Sequence, residues 1–322
     1  MKILITGGGG FLGFKLARAL LARGSLGDRP IASITLLDGA FPPAAAQESR
    51  FKLVTGDVSD SATLARVCLP DTDAVFHLAA VVSGAAEADF DLGMRVNLKG
   101  MELLLEQMRK CAKPPRLVYT SSVAAFGGSL PPVLDDSTIA NPQTSYGAQK
   151  VIGEYLVTDY SRKGYIDGRS LRLPTIVVRA GKPNAAASSF ASGIIREPLN
   201  GVMAECPVAP ETGVWLLSPR RVVEAFIHAW ELPPEAWGTQ RWLNLPGITA
   251  SVAQMIEALR RVAGAVVARR VVYKADARIQ GIVKTWPVNF RTPRALAMGF
   301  KPDTDVDSVI RGYIADEGIK IV

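Results

Sequence analysis

Short apolar runs alternate with longer segments of helical periodicity through the first half of the chain. The helical spacing predicts helices at Phe11–Arg23, at about Leu92–Cys111 and from about Ser145. The apolar runs predict strands at Lys2–Thr6, Ile34–Asp38, Phe51–Thr55, Ala74–Leu78, Arg116–Thr120 and Ser170–Leu173. Strands that alternate with helices build parallel βαβ units, so we predict an α/β fold with a doubly wound parallel (Rossmann) sheet.

The second half of the chain is less regular. Residues Pro174–Pro219 are rich in Gly, Pro, Ala and Ser and show no long periodic segment. Further on, the pattern predicts a strand at Trp242–Leu245 and helices at Arg220–Leu232, Val252–Gly264, Pro293–Ala297 and Val306–Asp316. We therefore expect one domain at residues 1–173 and a smaller, interleaved portion at 174–322, with segments that fold back onto the first domain. The stretch Phe41–Ala46 is predicted to be a surface loop.

Composition narrows the class of protein. The 322 residues carry a net charge of +7, but Lys and Arg are scattered and form no basic stripe. We therefore expect no nucleic-acid partner, and the mild positive charge suits anionic metabolites instead. No signal peptide and no apolar run long enough to cross a bilayer is found, so no membrane partner is expected. The cysteines, which show no disulfide or metal spacing and fit a reducing cytoplasm, are Cys68, Cys111 and Cys206.

A glycine-rich turn separates the first predicted strand from the first predicted helix. Gly7, Gly10 and Gly13 have the spacing G-x-x-G-x-x-G. Glycines allow a tight turn and let the backbone approach a pyrophosphate, which is bound by the N–H groups at the helix N-terminus. The strand before the turn and the helix after it favour a dinucleotide site over a ligand-free turn.

A carboxylate ends the second predicted strand. Asp38 is placed to accept hydrogen bonds from the adenosine ribose, and no Arg or Lys follows it directly. Because a carboxylate repels a 2′-phosphate, this favours NAD over NADP as the cofactor. The alternative is that Asp38 only caps a turn. Asp57, after the third strand, is likewise either near the adenine or a plain turn residue.

The candidate catalytic residues are two serines, a tyrosine and a lysine. Ser121 and Ser122 follow an apolar run, and Tyr146 precedes Lys150 by four residues, which places both on one helix face. A phenol has a reference pKa near 10, and a neighbouring ammonium favours its ionised form. Tyr146 would then transfer a proton to or from an alcohol, while hydride moves between substrate and nicotinamide.

Taken together, these motifs resemble those of the extended short-chain dehydrogenases/reductases, which include nucleotide-sugar epimerases and dehydratases. The resemblance is most specific over residues 3–180 and implies an NAD cofactor bound in the first domain. It makes Ser122, counted back from Phe126-Gly127, the catalytic serine beside Tyr146 and Lys150. It implies cofactor contacts at Gly7, Gly10, Phe11, Leu12, Gly13, Asp38, Asp57, Val58, Leu78, Ala79, Ala80, Asn97, Tyr146, Lys150 and Pro174.

The chain departs from the nucleotide-sugar epimerases after the sixth strand. Where they carry Arg-x-x-Asn, this chain has Arg172-Leu-Pro-Thr175. The following segment resembles a narrower group, the NAD-dependent D-erythronate dehydrogenases, and implies oxidation of a four-carbon sugar acid at C2 to 2-oxo-tetronate. Arg196 would suit a bidentate grip on the carboxylate, although Arg196 and Arg179 fit an ion pair equally well. The expected substrate contacts are Ser83, Ser122, Asn184, Ser189 and Arg196.

Three functions therefore stay open. The first is an NAD-dependent dehydrogenase that acts on a small sugar acid. A homodimer is a possible assembly for this enzyme. The second is a nucleotide-sugar epimerase or dehydratase that retains NAD, and the third is a non-catalytic dinucleotide sensor. A sensor has no need of Ser122, Tyr146 and Lys150. His77 and His228 are far apart in the sequence, so no metal site is expected, and His77 is predicted to pack near the cofactor.

Overall fold

The computed structural model describes residues 1–181 and 187–321. The strands are β1 (Lys2–Thr6), β2 (Ser25–Leu26), β3 (Arg29–Pro30), β4 (Ser33–Asp38), β5 (Phe51–Thr55), β6 (Ala74–His77), β7 (Arg116–Ser122), β8 (Asp167–Leu173), β9 (Thr175–Ile176), β10 (Ala204–Cys206), β11 (Gly213–Leu217), β12 (Trp242–Asn244), β13 (Ile248–Ser251) and β14 (Val271–Tyr273).

The helices follow the strands closely through the first half of the chain. They are α1 (Phe11–Arg23), α2 (Pro43–Ala46), α3 (Ser61–Val67), α4 (Ser83–Ala88), α5 (Phe90–Gly93), α6 (Gly100–Met108), α7 (Ser145–Arg162), α8 (Ser189–Leu199), α9 (Pro219–Glu231), α10 (Pro234–Trp237), α11 (Val252–Ala263), α12 (Ala265–Ala268), α13 (Ala277–Val283), α14 (Pro293–Ala297) and α15 (Val306–Glu317). A π-helical segment lies at Met94–Lys99, and a 3₁₀ turn lies at Val123–Ala125.

The main sheet confirms the doubly wound α/β prediction. Among the described residues it has seven strands in the order β12-β8-β7-β6-β1-β4-β5. The pairs β1–β4, β4–β5, β1–β6 and β6–β7 are parallel. The chain builds outward from β1 to β5 and then returns to place β6 on the other side of β1. The strand order therefore reverses between β1 and β6, which is where ligands bind in sheets of this kind.

Three predicted segments need correction. Pro174–Pro219 shows no long periodic segment in its sequence, but its described residues form β9, α8, β10 and β11. The stretch Phe41–Ala46 is not wholly a surface loop: its last four residues form α2, in which Ala45 is fully buried. The predicted helix Leu92–Cys111 is interrupted, since the π-helical segment separates α5 from α6.

The chain divides into two compact units, each with its own core. The first comprises Met1–Ala125, Pro142–Arg172 and Val223–Leu243, and the second Phe126–Asn141, Leu173–Val222 and Asn244–Val322. In the first unit, α3 and α6 pack apolar side chains on the sheet, among them Leu64, Leu104 and Leu105. In the second, α8, α11 and α15 contribute a core that includes Ile194, Met255 and Ile310. The predicted division at residues 173 and 174 stays a prediction.

Candidate active site

The predicted cofactor and catalytic residues of the first unit follow the ends of neighbouring strands. Thr6 of β1 pairs with His77 of β6, and His77 pairs with Tyr119 of β7. Thr6 also pairs with Leu37 of β4. Because these strands are parallel, the residues that follow each of them emerge at one edge of the sheet. At this edge, the point between β1 and β6 where the strand order reverses is the expected ligand site.

The glycine turn is packed against the segment that follows β6. Gly7 has a φ of +71°, and a Cβ atom there would lie 2.6 Å from the amide nitrogen of Ala79. A Cβ atom on Gly13 would lie 2.0 Å from the carbonyl oxygen of Gly7. These two positions therefore require glycine for the fold itself. A Cβ atom on Gly10, by contrast, would meet only the Gly7 carbonyl, at 3.2 Å, among the described residues.

The open face of Gly10 lies at the start of α1. Gly10 is the N-cap residue, and within the described chain no side chain caps this helix end and no acidic residue occupies its first turn. The first amides of a helix have no partner inside the helix, and they attract anions. The turn and the half-buried Phe11 and Leu12 thus form a cradle that a Cβ atom at position 10 would fill. This cradle fits the pyrophosphate of a dinucleotide.

Asp38 contacts the glycine turn directly. Its Oδ2 accepts a hydrogen bond from the amide of Gly9 at 3.0 Å, and its Oδ1 accepts one from the amide of Ala40 at 3.3 Å. The carboxylate therefore stabilises the turn in addition to any contact with a ribose. The contact of Asp38 with the ribose stays a prediction.

Asp57 and Val58 lie beyond β5. Asp57 accepts hydrogen bonds from the amide and hydroxyl of Ser59, at 2.8 and 2.7 Å, and pairs with Arg95. Partial burial opposes its ionisation, but the Ser59 and Arg95 contacts outweigh it and hold the pKa below the usual value. Val58 is buried against Gly100. Asp57 thus stabilises the turn that follows β5, and its proximity to the adenine stays a prediction.

Asn97 shapes the segment that follows β6. Its Oδ1 accepts from the amide of Val81 at 2.7 Å, and its Nδ2 donates to the Val81 carbonyl at 3.1 Å. The same Nδ2 donates to Oε1 of Gln149 at 2.7 Å. Asn97 therefore ties the Leu78–Val81 segment to α7, the helix that carries Tyr146 and Lys150. Leu78, Ala79 and Ala80 are half-buried between these contacts.

The two adjacent serines have different surroundings. The hydroxyl of Ser121 is buried and donates to the carboxylate of Glu154. The hydroxyl of Ser122 is half-buried and accepts from the amide of Ala124 at 3.1 Å. An O–H group that accepts one hydrogen bond keeps its own proton to donate. Ser122 is therefore the better placed of the two to bind a substrate oxygen.

Tyr146 and Lys150 lie on the first two turns of α7. The helix begins at Ser145, where the hydroxyl of Thr144 accepts from the amide of Gly147. Lys150 is 2% exposed, its Nζ donates to the Thr120 carbonyl at 2.7 Å, and it lies 5.5 Å from the centroid of the half-buried Tyr146 ring. Burial lowers the pKa of Lys150 to about 7, although the charge of Glu154 opposes this.

His77 is a buried neutral side chain near Lys150. Its Nδ1 shares a hydrogen bond with the Thr6 hydroxyl at 2.6 Å, and its ring stacks on Tyr119 at 5.7 Å between centroids. Burial, followed by the charge of Lys150, lowers its pKa to about 3. His77 therefore packs at this edge of the sheet, as expected. No group of three or more metal-ligating side chains is found within residues 1–181 and 187–321.

The predicted substrate residues fall in both units. Ser83 begins α4 in the first unit and is half-buried. In the second unit Ser189 begins α8, and Pro174, which was predicted as a cofactor contact, is buried ahead of β9. The guanidinium of Arg196 donates to the Arg179 carbonyl at 2.8 Å and to Glu197 at 2.6 Å. Asn184 lies outside the described residues.

Three further residues shape the site and were missed by the sequence analysis. They are Gly147, which packs against Ala124, Gln149, which binds Asn97, and Glu154, which binds Ser121. Glu154 extends the face of Tyr146 and Lys150 by one more helical turn, so the same i, i+4 spacing could have found it. Nothing in a single sequence marks the other two.

Comparison with known families settles the family. A profile described as "NAD dependent epimerase/dehydratase family" matches residues 3–215, which is more than half of the chain. The chain belongs to this family. Membership accounts for the fit of the α1 cradle to a dinucleotide, and NAD is the cofactor. It also makes the chain an enzyme of the extended short-chain type, as the motifs predicted.

Individual members of the NAD dependent epimerase/dehydratase family are similar over nearly the whole chain. A D-erythronate dehydrogenase of Cupriavidus necator is 58% identical, over 99% of both chains. Another D-erythronate dehydrogenase, of Haemophilus influenzae, is 43% identical over 98% of this chain and 99% of its own. A crystal structure of a nucleoside-diphosphate-sugar epimerase from Agrobacterium tumefaciens is 41% identical, with a TM-score of 0.94, and covers 100% of this chain and 96% of that one. No helix in the described parts of this chain is long and apolar enough to cross a membrane.

Proposed function

We propose that this protein is a D-erythronate dehydrogenase, which oxidises the C2 hydroxyl of D-erythronate to a ketone and yields 2-oxo-tetronate. The observation that carries the proposal is the buried Lys150 ammonium 5.5 Å from the Tyr146 ring, on a helix that packs against β7. Support for the substrate comes from the 58% and 43% identical relatives of that name. An alcohol dehydrogenase needs a proton acceptor of this kind.

Each of the three side chains has a separate role in the proposed reaction. Ser122 donates a hydrogen bond to the C2 oxygen of the substrate, and the Tyr146 phenolate accepts the hydroxyl proton. The positive charge of Lys150 stabilises that phenolate. NAD, when bound, would supply the hydride acceptor for C2, so that the C–H and O–H bonds break as the C=O bond forms and the proton passes to Tyr146. As in the sequence prediction, Arg196 would bind the substrate carboxylate, and Ser83, Asn184 and Ser189 would contact the rest of the substrate.

The experiment is a screen of NAD reduction with four- to six-carbon sugar acids. We expect NADH to accumulate with D-erythronate in proportion to the product formed, and turnover to be lower with its C2 epimer. Activity confined to NADP, or an absence of NADH with every sugar acid, would contradict the proposal. Product identity is checked by mass spectrometry of the 2-keto acid.

A second candidate is a nucleotide-sugar epimerase, favoured by the TM-score of 0.94 to the Agrobacterium tumefaciens structure of that name. In this case NAD would be reduced and reoxidised in place, and no free NADH would accumulate. Arg172-Leu-Pro-Thr175, which lacks the asparagine of the epimerase motif, favours the dehydrogenase. Interconversion of nucleotide sugars without net NADH would decide for the epimerase.

A further inference from the structure

Glu154 is a buried carboxylate one helical turn beyond Lys150. It is 2% exposed, and both of its oxygens are engaged. Nε of Arg172 donates to Oε1 at 2.8 Å, and Nη2 of Arg172 donates to Oε2 at 2.7 Å. Oε1 also accepts from the hydroxyl of Ser121. A bidentate pair of this kind holds the carboxylate in one orientation.

Arg172 is itself fixed in place. Its guanidinium carbon lies 4.0 Å from the ring centroid of Trp242, in the strand next to β8. The planar guanidinium can stack on an aromatic ring and bind a carboxylate at its edge simultaneously, which an ammonium cannot do. Glu154 is therefore anchored by a side chain of the sheet and not only by its own helix.

Two contacts tie the end of β7 to α7. The Thr120 carbonyl accepts from Nζ of Lys150, and the Ser121 hydroxyl donates to Glu154. Thr120 and Ser121 directly precede Ser122, the proposed catalytic serine. The Thr120 contact is made by a backbone carbonyl and the Ser121 contact by a side chain. Their partners, Lys150 and Glu154, are four residues apart on α7. The position of Ser122 relative to Tyr146 therefore depends on both Lys150 and Glu154.

Glu154 is also part of the electrostatic surroundings of Lys150. The titratable and charged groups that face Lys150 are His77 on β6, Tyr119 on β7, Tyr146 and Glu154 on α7, and Arg172 on β8 behind Glu154. His77 is neutral because its pKa is about 3, and burial raises the pKa of Tyr119 well above its ordinary value. Glu154 supplies the negative charge in this set, and it opposes the lowering of the Lys150 pKa by burial.

We propose, on the basis of the proposed function, that Glu154 is a positioning residue of the catalytic centre. It aligns the Ser122 end of β7 through Ser121, and its negative charge favours the ammonium form of Lys150. Arg172 holds the carboxylate in place for both tasks. Ser121, although adjacent to the proposed catalytic serine, acts only through this contact.

The first test is the pH profile of kcat for D-erythronate oxidation in Glu154→Gln. Glutamine keeps the shape and an acceptor for Ser121 but removes the charge, so Lys150 stabilises the Tyr146 phenolate less. We expect the acidic limb of the profile to move to higher pH by about one unit, with a roughly tenfold lower kcat at neutral pH. Asp159→Asn, an exposed carboxylate on the same helix, is the matched control and should leave the profile unchanged.

A second variant addresses loss of folding. Glu154→Gln leaves Arg172 buried without its counter-charge, which is strongly destabilising in general. Glu154→Gln with Arg172→Met replaces the whole pair by neutral side chains. It should fold and show an alkaline displacement in the same direction but smaller, because the opposing charge of Arg172 is also removed. Ser121→Ala keeps both charges, so it should lower kcat roughly tenfold without displacing the limb. A wild-type kcat in Ser121→Ala would overturn the alignment role.

A titration of Lys150 separates this inference from the proposed function. With lysine labelled by ¹³C at Cε, the Lys150 signal is assigned by its loss in Lys150→Arg, and no substrate is needed. We expect its titration midpoint to fall in both Glu154 variants and to stay unchanged in Asp159→Asn. Unmoved midpoints and an unmoved limb in folded variants would make Glu154 merely structural. If the wild-type enzyme fails to oxidise D-erythronate, the proposed function fails and this titration still decides the role of Glu154.

Discussion

Gly147 lies so close to the carbonyl oxygen of Ala124 that a Cβ atom on Gly147 would come within 2.2 Å of it. Ala124 belongs to the 3₁₀ turn that directly follows Ser122, and Gly147 follows Tyr146 in the first turn of α7. Because Gly147 has no side chain, α7 can lie close to the 3₁₀ turn. This contact sets the separation between Ser122 and Tyr146, the proposed catalytic serine and tyrosine. This separation matters because reacting groups must be held within hydrogen-bonding distance.

Replacement of Gly147 by Ala is expected to push α7 away from the serine turn. A displacement on the order of 1 Å costs roughly 10²-fold in rate, so kcat should fall by about that factor while the fold is kept. Gly281→Ala is the matched control, because a Cβ atom on Gly281 in α13 would have no atom of the described residues within 4 Å, apart from its chain neighbours and the backbone of its own helix. It should leave kcat unchanged and stabilise the protein by up to about 1 kcal/mol. Steady-state kinetics and thermal unfolding of the two variants check the prediction.

Replacement of Tyr146 by Phe removes the proposed proton acceptor but keeps the ring that Lys150 contacts. General acid–base catalysis contributes about 10²–10⁴-fold, so we expect kcat to fall by that factor. The affinity for NAD, measured by calorimetry, should change little. Tyr155→Phe, which alters a 68% exposed ring on the same helix, should behave as the wild-type protein does. A Tyr146→Phe turnover within threefold of wild type would remove Tyr146 from the mechanism.

The buried Lys150 makes stability depend on pH. Burial lowers its pKa to about 7, from 10.5 in the unfolded chain, so between these values the unfolded state binds more protons. The free energy of unfolding should therefore rise with pH across this window, by at most about 1.4 kcal/mol per pH unit, and the cost should be fully present below about pH 7. Urea unfolding without NAD, compared with Lys150→Met, isolates this group. A difference between the two proteins that is constant with pH would contradict the lowered pKa.

Asp38 is expected to set the preference for NAD. Asp38→Asn removes the charge that repels a 2′-phosphate but keeps an oxygen that can accept from the amide of Gly9. Hydrogen bonds to charged groups contribute about 1.5–3 kcal/mol, so the ratio of kcat/KM for NAD to that for NADP should fall tenfold or more. Asp38→Ala should lower both values further, because it also releases the turn. A wild-type preference for NADP would show that Asp38 does not contact the ribose.

The parts of the fold that sequence predicts well are those set by local pattern. The bounds of β1 and α1 coincide with the predicted ones, because an apolar strand, a glycine turn and an amphipathic helix each leave a periodic signal. Helix α8 was missed since its sequence carries Ser, Gly and an internal proline, Pro198. It is held by burial of Phe190 and Ile194 in the core of the second unit, and that depends on residues distant in sequence.

The candidate site divides in the same way. Tyr146 and Lys150 could be paired from sequence because four residues along a helix bring side chains to one face. The contacts of Glu154 with Ser121 and Arg172 cross 33 and 18 residues, and no short motif records them. The choice between Ser121 and Ser122 rested on a resemblance, and the structure adds a physical reason, which is that Glu154 already binds the first of them.

The number of residues in the π-helical segment Met94–Lys99 affects the geometry of the site. A π-helical turn accommodates an additional residue, and each residue of a helix rotates the following face by about 100°. Removal of one residue here would restore a continuous α-helix and turn Asn97 away from Val81, unless α6 gave up its packing on the sheet. Insertions and deletions in this short segment should therefore be tolerated far less than substitutions at its exposed positions, even though no proposed catalytic side chain lies within it.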